Sequence, residues 1–134
     1  MRVILDTDTL SLSWRDKHPT VRLNATRYLR QYGHLTFTEL TYYEVTRGLK
    51  ASRATRQLAE FEMFCQHHEI LPFTRAAAIS AADIWADLKR RGQLIGEIDV
   101  LIAGAALSEG LAVVSHNTRH FGRIAGLTVI DWTT

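Results

Sequence analysis

Arg2-Val3-Ile4-Leu5-Asp6 is a short apolar run stopped at once by a carboxylate. Its length suits a buried strand, so Asp6 is expected just beyond a strand's C-terminal end. The same punctuation recurs along the chain. His34 to Phe37, Glu69 to Phe73, Ala112 to Ser115 and Thr128 to Asp131 read as four more short strands, with Pro72 closing the third. Helical spacing fills the intervals. Residues 8–16 predict a short helix. Pro19 suits the start of a second, in which Val21, Ala25, Tyr28 and Leu29 recur at helical spacing as far as Gly33. Residues 38–50 and 53–68 predict two more, the latter with Leu58, Phe61, Met63, Phe64 and Cys65 on its apolar face. Thr74 can cap a helix that runs to Arg91 and ends at Gly92, burying Ala77, Ala78, Ala81, Ile84, Trp85 and Leu88. Residues 97–109, closed by Gly110, predict another helix, and 118–123 a single turn.

Strands alternating with helices predict an α/β fold: a central, mainly parallel sheet of about five short strands with helices on both faces. The 134 residues fit one domain spanning 1–134. A chain of this size buries about two-thirds of its unfolded surface and needs no disulfide or structural metal to fold. Its single cysteine, Cys65, permits no internal disulfide and fits a reducing cytoplasm, where the protein is expected. The N-terminal apolar run is too short for a secretory signal. The longest apolar stretch, Val100 to Leu107, falls well short of the roughly 18 residues that cross a bilayer, so no membrane association is expected. The net charge of +2 is unevenly spread: residues 1–57 carry ten Lys/Arg against five Asp/Glu, and residues 58–99 carry four against seven. The positive part is rich in arginine, whose fork suits phosphate oxygens, although charge alone favours the reading of a solvated helix face.

Ligands of parallel α/β sheets bind beyond the C-terminal strand ends. Asp6 follows the first strand, Glu44 lies on the helix after the second, and Asp99 lies in the first turn of the helix 97–109. All three can point into one crevice, and Asn117, two residues after the fourth strand, falls on the same edge. Clustered carboxylates repel one another, and hard oxygen ligands suit Mg²⁺ or Mn²⁺. A metal pair about 4 Å apart can stabilise both the attacking and the leaving oxygen of phosphodiester hydrolysis, with water as the nucleophile. Each acid also has a purely structural reading. Asp6 can cap the next helix, Thr41 and Glu44 match a capping box, and Asp99 can complement a helix dipole, a duty for which Glu97 is better placed.

Taken together, these segments resemble the motifs of PIN domains. Val3-Ile4-Leu5-Asp6-Thr7-Asp8 is similar to the first. Thr38-Glu39-Leu40 through Glu44, with Gly48-Leu49 after it, is similar to the second. Ile95-Gly96-Glu97-Ile98-Asp99-Val100-Leu101-Ile102-Ala103 resembles the third, and Val113-Val114-Ser115-His116-Asn117-Thr118-Arg119-His120-Phe121 the fourth, followed by Asp131-Trp132. Order and spacing match over nearly the whole chain, most closely those of VapC toxins of VapBC toxin–antitoxin systems. The resemblance implies a PIN fold and a Mg²⁺- or Mn²⁺-dependent endoribonuclease. It implies a homodimer, neutralised by a small VapB-type antitoxin. Asp6, Glu44 and Asp99 would be the catalytic, metal-holding acids, Asn117 would stand at the fourth position, and Thr7 and Ser115 would support the ligands. The fourth motif and the Trp ending look most like the branch that cuts transfer RNA in the anticodon region. Arg15, Arg47 and Arg119 are candidate RNA contacts. The sequence departs from the pattern at Asn117, often aspartate in PIN domains, and at His120, often acidic. An uncharged Asn117 puts a second metal in question and keeps open a PIN-type domain that binds RNA or a protein without cutting. A hydrolase of small phosphate esters is a third reading.

Other patterns carry less. His116 and His120 have a zinc-like spacing but no third ligand at a matching distance. Ser115-His116 are too close in sequence for a nucleophile–base pair. Cys65 lies on an apolar face and reads as core. His67-His68 end a helix, where positive charge is favourable. No glycine-rich nucleotide loop is present. Tyr42, Tyr43, Phe61, Phe64, Trp85 and Trp132 read mainly as core, with one of the two tyrosines free to cover a dimer interface.

Overall fold

A computed structural model describes all residues, 1–134. The chain order is β1 (Val3–Leu5), α1 (Thr7–Arg15), α2 (Pro19–Tyr32), β2 (Thr36–Thr38), α3 (Glu39–Ala51), α4 (Thr55–Gln66), β3 (Glu69–Leu71), α5 (Arg75–Arg90), α6 (Glu97–Glu109), β4 (Ala112–Val114), α7 (Thr118–Phe121) and β5 (Val129–Ile130). All three strand pairings are parallel. β4 sits between β1 and β5, β2 pairs with β3, and β2 lies beside β1. The architecture is the expected α/β one.

Side-chain alternation divides the interior into two cores. Val3, Leu5, Ala112 and Val114 face a core closed by Leu10 of α1, Val21 and Tyr28 of α2, Val45 of α3 and Phe61 of α4. Ile4 and Val113 face the other, closed by Ala81 and Leu88 of α5, Ile102 and Ala106 of α6 and Phe121 of α7. α1–α4 therefore cover one face of the sheet and α5–α7 the other. α5 and α6 approach tightly at Gly104. A Cβ there would stand 2.7 Å from both the Cβ and the N of Ala81 and 2.8 Å from the Ala77 carbonyl oxygen. Only hydrogen fits.

Capping chemistry sets most helix ends. The Thr38 and Thr74 hydroxyls accept hydrogen bonds from the N–H groups of Thr41 and Ala77. Gly110 ends α6 with φ +67°, a conformation that a β-carbon disfavours. The capping-box reading of Thr41 and Glu44 is overturned, because the cap lies one turn earlier at Thr38 and Thr41 is buried inside α3.

Other sequence expectations are corrected as well. Met63 on α4 and Ala78 and Trp85 on α5 face outward instead of into the core. The helical stripe is narrower than the sequence pattern suggested. α4 begins at Thr55 rather than 53, since Arg53 takes a left-handed φ of 55°. β2 begins at Thr36, later than read, because the Leu35 N–H is taken by His68 Nδ1 at 3.0 Å. Burial pushes His68 down to about 4, so it ends α4 neutral rather than as a dipole-facing cation. No helix is long and apolar enough to cross a membrane.

Candidate metal centre at the strand ends

The parallel β1–β4 ladder builds the first half of the site. Leu5 pairs with Val114, so Asp6 and Ser115 leave neighbouring strands side by side. The Asp6 N–H donates to the Val114 carbonyl at 3.0 Å. Asp6 is buried, and its Oδ1 accepts the Thr9 N–H at 2.9 Å, capping α1. Burial raises its carboxyl above the ordinary range, against the opposing pull of the Ser115 hydroxyl and Thr9. The structural reading of Asp6 thus holds, and it engages one of the two carboxylate oxygens.

Glu44 reaches the same crevice from α3. Thr7 Oγ1 donates to its Oε1 at 2.5 Å and therefore accepts from Thr41 Oγ1 at 3.0 Å. Arg47 stands 3.4 Å from its Oε2 and lies over the Tyr43 ring. Asp99 enters from the opposite layer, in the first turn of α6. Its carboxyl is pushed up to about 6, first by burial and then by the charges of Asp6, Glu44 and Asp8. Four acids from three elements are thus within electrostatic reach of one another. No three carboxylate, imidazole or thiol groups form a ready-made metal-ligand set.

Asn117 completes the edge. Ser115 Oγ accepts the Asn117 N–H at 2.8 Å, which links the loop after β4 to the Asp6 side. The Asn117 amide and His120 Nδ1 lie 2.8 Å apart, while His116 turns away to Thr133 and Asp131. The two histidines do not converge on a zinc site.

A family profile described as "PIN domain" matches residues 3–127. Over 134 residues the chain is 34% identical to the tRNA(fMet)-specific endonuclease VapC of Shigella flexneri, covering 99% of each. Over 133 residues it is 35% identical to the protein of the same name in Salmonella typhimurium, covering 98% of each.

The chain belongs to the VapC branch of the PIN-domain family.

The solved DNA-bound VapBC from Salmonella typhimurium superposes on this PIN domain with a TM-score of 0.88 at 34% identity, covering 98% of each chain. VapBC2 of Rickettsia felis, at 22% identity and a TM-score of 0.87, shares the fold.

Within this VapC-family chain the structure brings together Asp6, Thr7, Glu44, Asp99 and Ser115, with Asn117 alongside. Of the arginines, Arg47 adjoins Glu44. Arg15 lines a cleft that also includes Thr7 and Glu44, and Arg119 lies exposed at the start of α7. Sequence reasoning missed Thr41 as a member of the Thr7–Glu44 network, although its i,i+3 spacing from Glu44 puts both on one helix face. It also missed the hydrogen bond between Asn117 and His120. Burial pushes the Cys65 thiol up to about 11, which makes it a poor nucleophile.

Proposed function

We propose that this protein is a Mg²⁺- or Mn²⁺-dependent endoribonuclease, the toxin of a VapBC pair. The observation that carries the reading is the gathering of Asp6, Asp8, Glu44 and Asp99 at one edge of the parallel strands, close enough for the other three charges to act on Asp99. Such a cluster has excess negative charge and only oxygen donors, which fits a hard divalent ion. Asp6, Glu44 and Asp99 would hold it, with Asn117 offering a neutral oxygen. When bound, the ion offsets the repulsion among the acids and supplies Lewis acidity for phosphodiester hydrolysis. Thr7 holds Glu44 in place, and Ser115 does the same for Asp6. Arg15, Arg47 and Arg119 would bind phosphates of the substrate. The names of the Shigella and Salmonella relatives support transfer RNA as that substrate. The solved VapBC relative supports a VapB-type antitoxin as partner, and we extend the reading to a cytoplasmic homodimer of one-domain subunits.

The test is cleavage of purified cellular RNA in Mg²⁺, in Mn²⁺ and in EDTA, beside Asp99→Asn. Discrete fragments are expected only with metal and only from the parent, with a loss of at least about a hundredfold in the variant. Cleavage by pure Asp99→Asn would refute the site assignment. RNA binding without cleavage under every metal condition would favour the non-cutting reading that the uncharged Asn117 suggests.

A further inference from the structure

A cleft opens between α1 and the α3–α4 pair, beside the acidic centre. It is lined by Thr7 and Glu44, which belong to that centre, and by Arg15, Gly48, Ser52 and Gln57. A second hollow shares Arg15 and Gln57 and adds Trp14, Lys17 and Glu60, so the depression continues away from the acids. Gly48 is the unexpected member. It sits inside α3, one turn after Glu44, where glycine is a poor helix former. A Cβ there would meet nothing within 4 Å. Packing within the protein therefore gives no reason for glycine at this position, but an occupant of the cleft would.

The lining says what that occupant is. Hydroxyl, amide and guanidinium groups dominate, and the cleft offers few apolar anchors of the kind a docked helix requires. Arg15 and Lys17 take part in none of the seven ion pairs, and the Arg15 guanidinium lies 5.0 Å from the Trp14 ring centroid. The Thr7 and Ser52 hydroxyls already donate within the protein, so the groups left to an occupant are the unpaired cations, the Ser11 hydroxyl and the Gln57 amide, which match a sugar–phosphate chain.

We propose that this cleft is a strand subsite, holding the RNA backbone next to the scissile bond with Arg15 on a phosphate and Gly48 leaving room for the chain. The proposal rests on the nuclease reading and adds to it the direction in which the strand leaves the acidic centre.

The experiment uses the full chain with Gly48→Leu, Gly48→Ala and Arg15→Gln, each first checked for folding by thermal melting. Binding of a short fluorescein-labelled single-stranded oligoribonucleotide is read by anisotropy in EDTA, and cleavage is read in Mg²⁺. Gly48→Leu and Arg15→Gln should each weaken binding about tenfold and raise KM to match, with kcat within about twofold of the parent. Gly48→Ala should melt at or above the parent temperature and show a smaller loss. If Gly48→Leu does not fold, Arg15→Gln and Gly48→Ala decide the matter by the same readings. Parent-like binding and KM in the folded variants overturn the subsite, and so does a loss confined to kcat. That pattern would leave the cleft as a surface for a peptide. A parent that binds the oligoribonucleotide through these residues but never cleaves it keeps the subsite and defeats the nuclease reading.

Discussion

A carboxyl that titrates at about 6, as Asp99 does, carries a charge its surroundings resist. In the metal-free protein the folded state keeps this proton to about pH 6, whereas the ordinary value, 3.8, describes the unfolded chain. The folded state therefore binds more protons between those values. Stability is full below the lower value and falls as pH rises through the window, on the order of 1 kcal/mol once partial solvent access is allowed for. Asp99→Asn removes the charge and should remove the loss. Urea unfolding in EDTA should find the variant gaining on the parent at pH 7 but scarcely at pH 4. A gap equal at both values would show that Asp99 is not under this repulsion. The placement of Asp6, Glu44 and Asp99 on one edge was legible because Asp6 follows β1, Glu44 lies on the helix after β2 and Asp99 lies in the first turn of α6. The Thr41–Thr7–Glu44 chain was not, since it joins two helices whose contact no local pattern encodes.

The close packing of α5 on α6 links the core to the site. Gly104 and Asp99 share α6, so whatever displaces the helix displaces the carboxylate. Gly104→Ala would put a methyl 2.7 Å from Ala81 and force the helices apart. It should cost about 1–3 kcal/mol by urea unfolding and lower cleavage without changing any acidic residue. Unchanged stability would mean that the helix pair has slack the packing does not suggest. Most element ends were readable because Thr74, Gly33 and Gly110 mark them with their own chemistry. Facing was less readable. α6 buries residues all round, including Val100 and Ile102 to Ala106, so it presents no amphipathic stripe to count. On α5 the pattern overreached, assigning to the core Trp85 and Ala78, which lie exposed.

For the molecule as a whole, the basic part of the sequence falls within one layer of the fold. The ten Lys/Arg of residues 1–57 lie on, beside or between the elements from β1 to the start of α4, the layer that holds the cleft and Glu44. An RNA substrate would meet this side first, and salt would screen the encounter. Raising monovalent salt from about 50 to 250 mM should increase KM several-fold while kcat changes little. A salt-independent KM would argue against phosphate contacts on this face. Parallel pairing was legible from the alternation of strands and helices, but the strand order was not. Nothing local in Val3-Ile4-Leu5 announces that its partner is Ala112-Val113-Val114. That pairing has a consequence in time. A ribosome making this chain releases β1 and Asp6 first, and the strand that seats Asp6 emerges only with the closing stretch of the message, after α6 has delivered Asp99. A growing chain thus lacks Asp99 and the β4 support of Asp6 until late in its synthesis, so the full set of acids can assemble only when translation is well advanced.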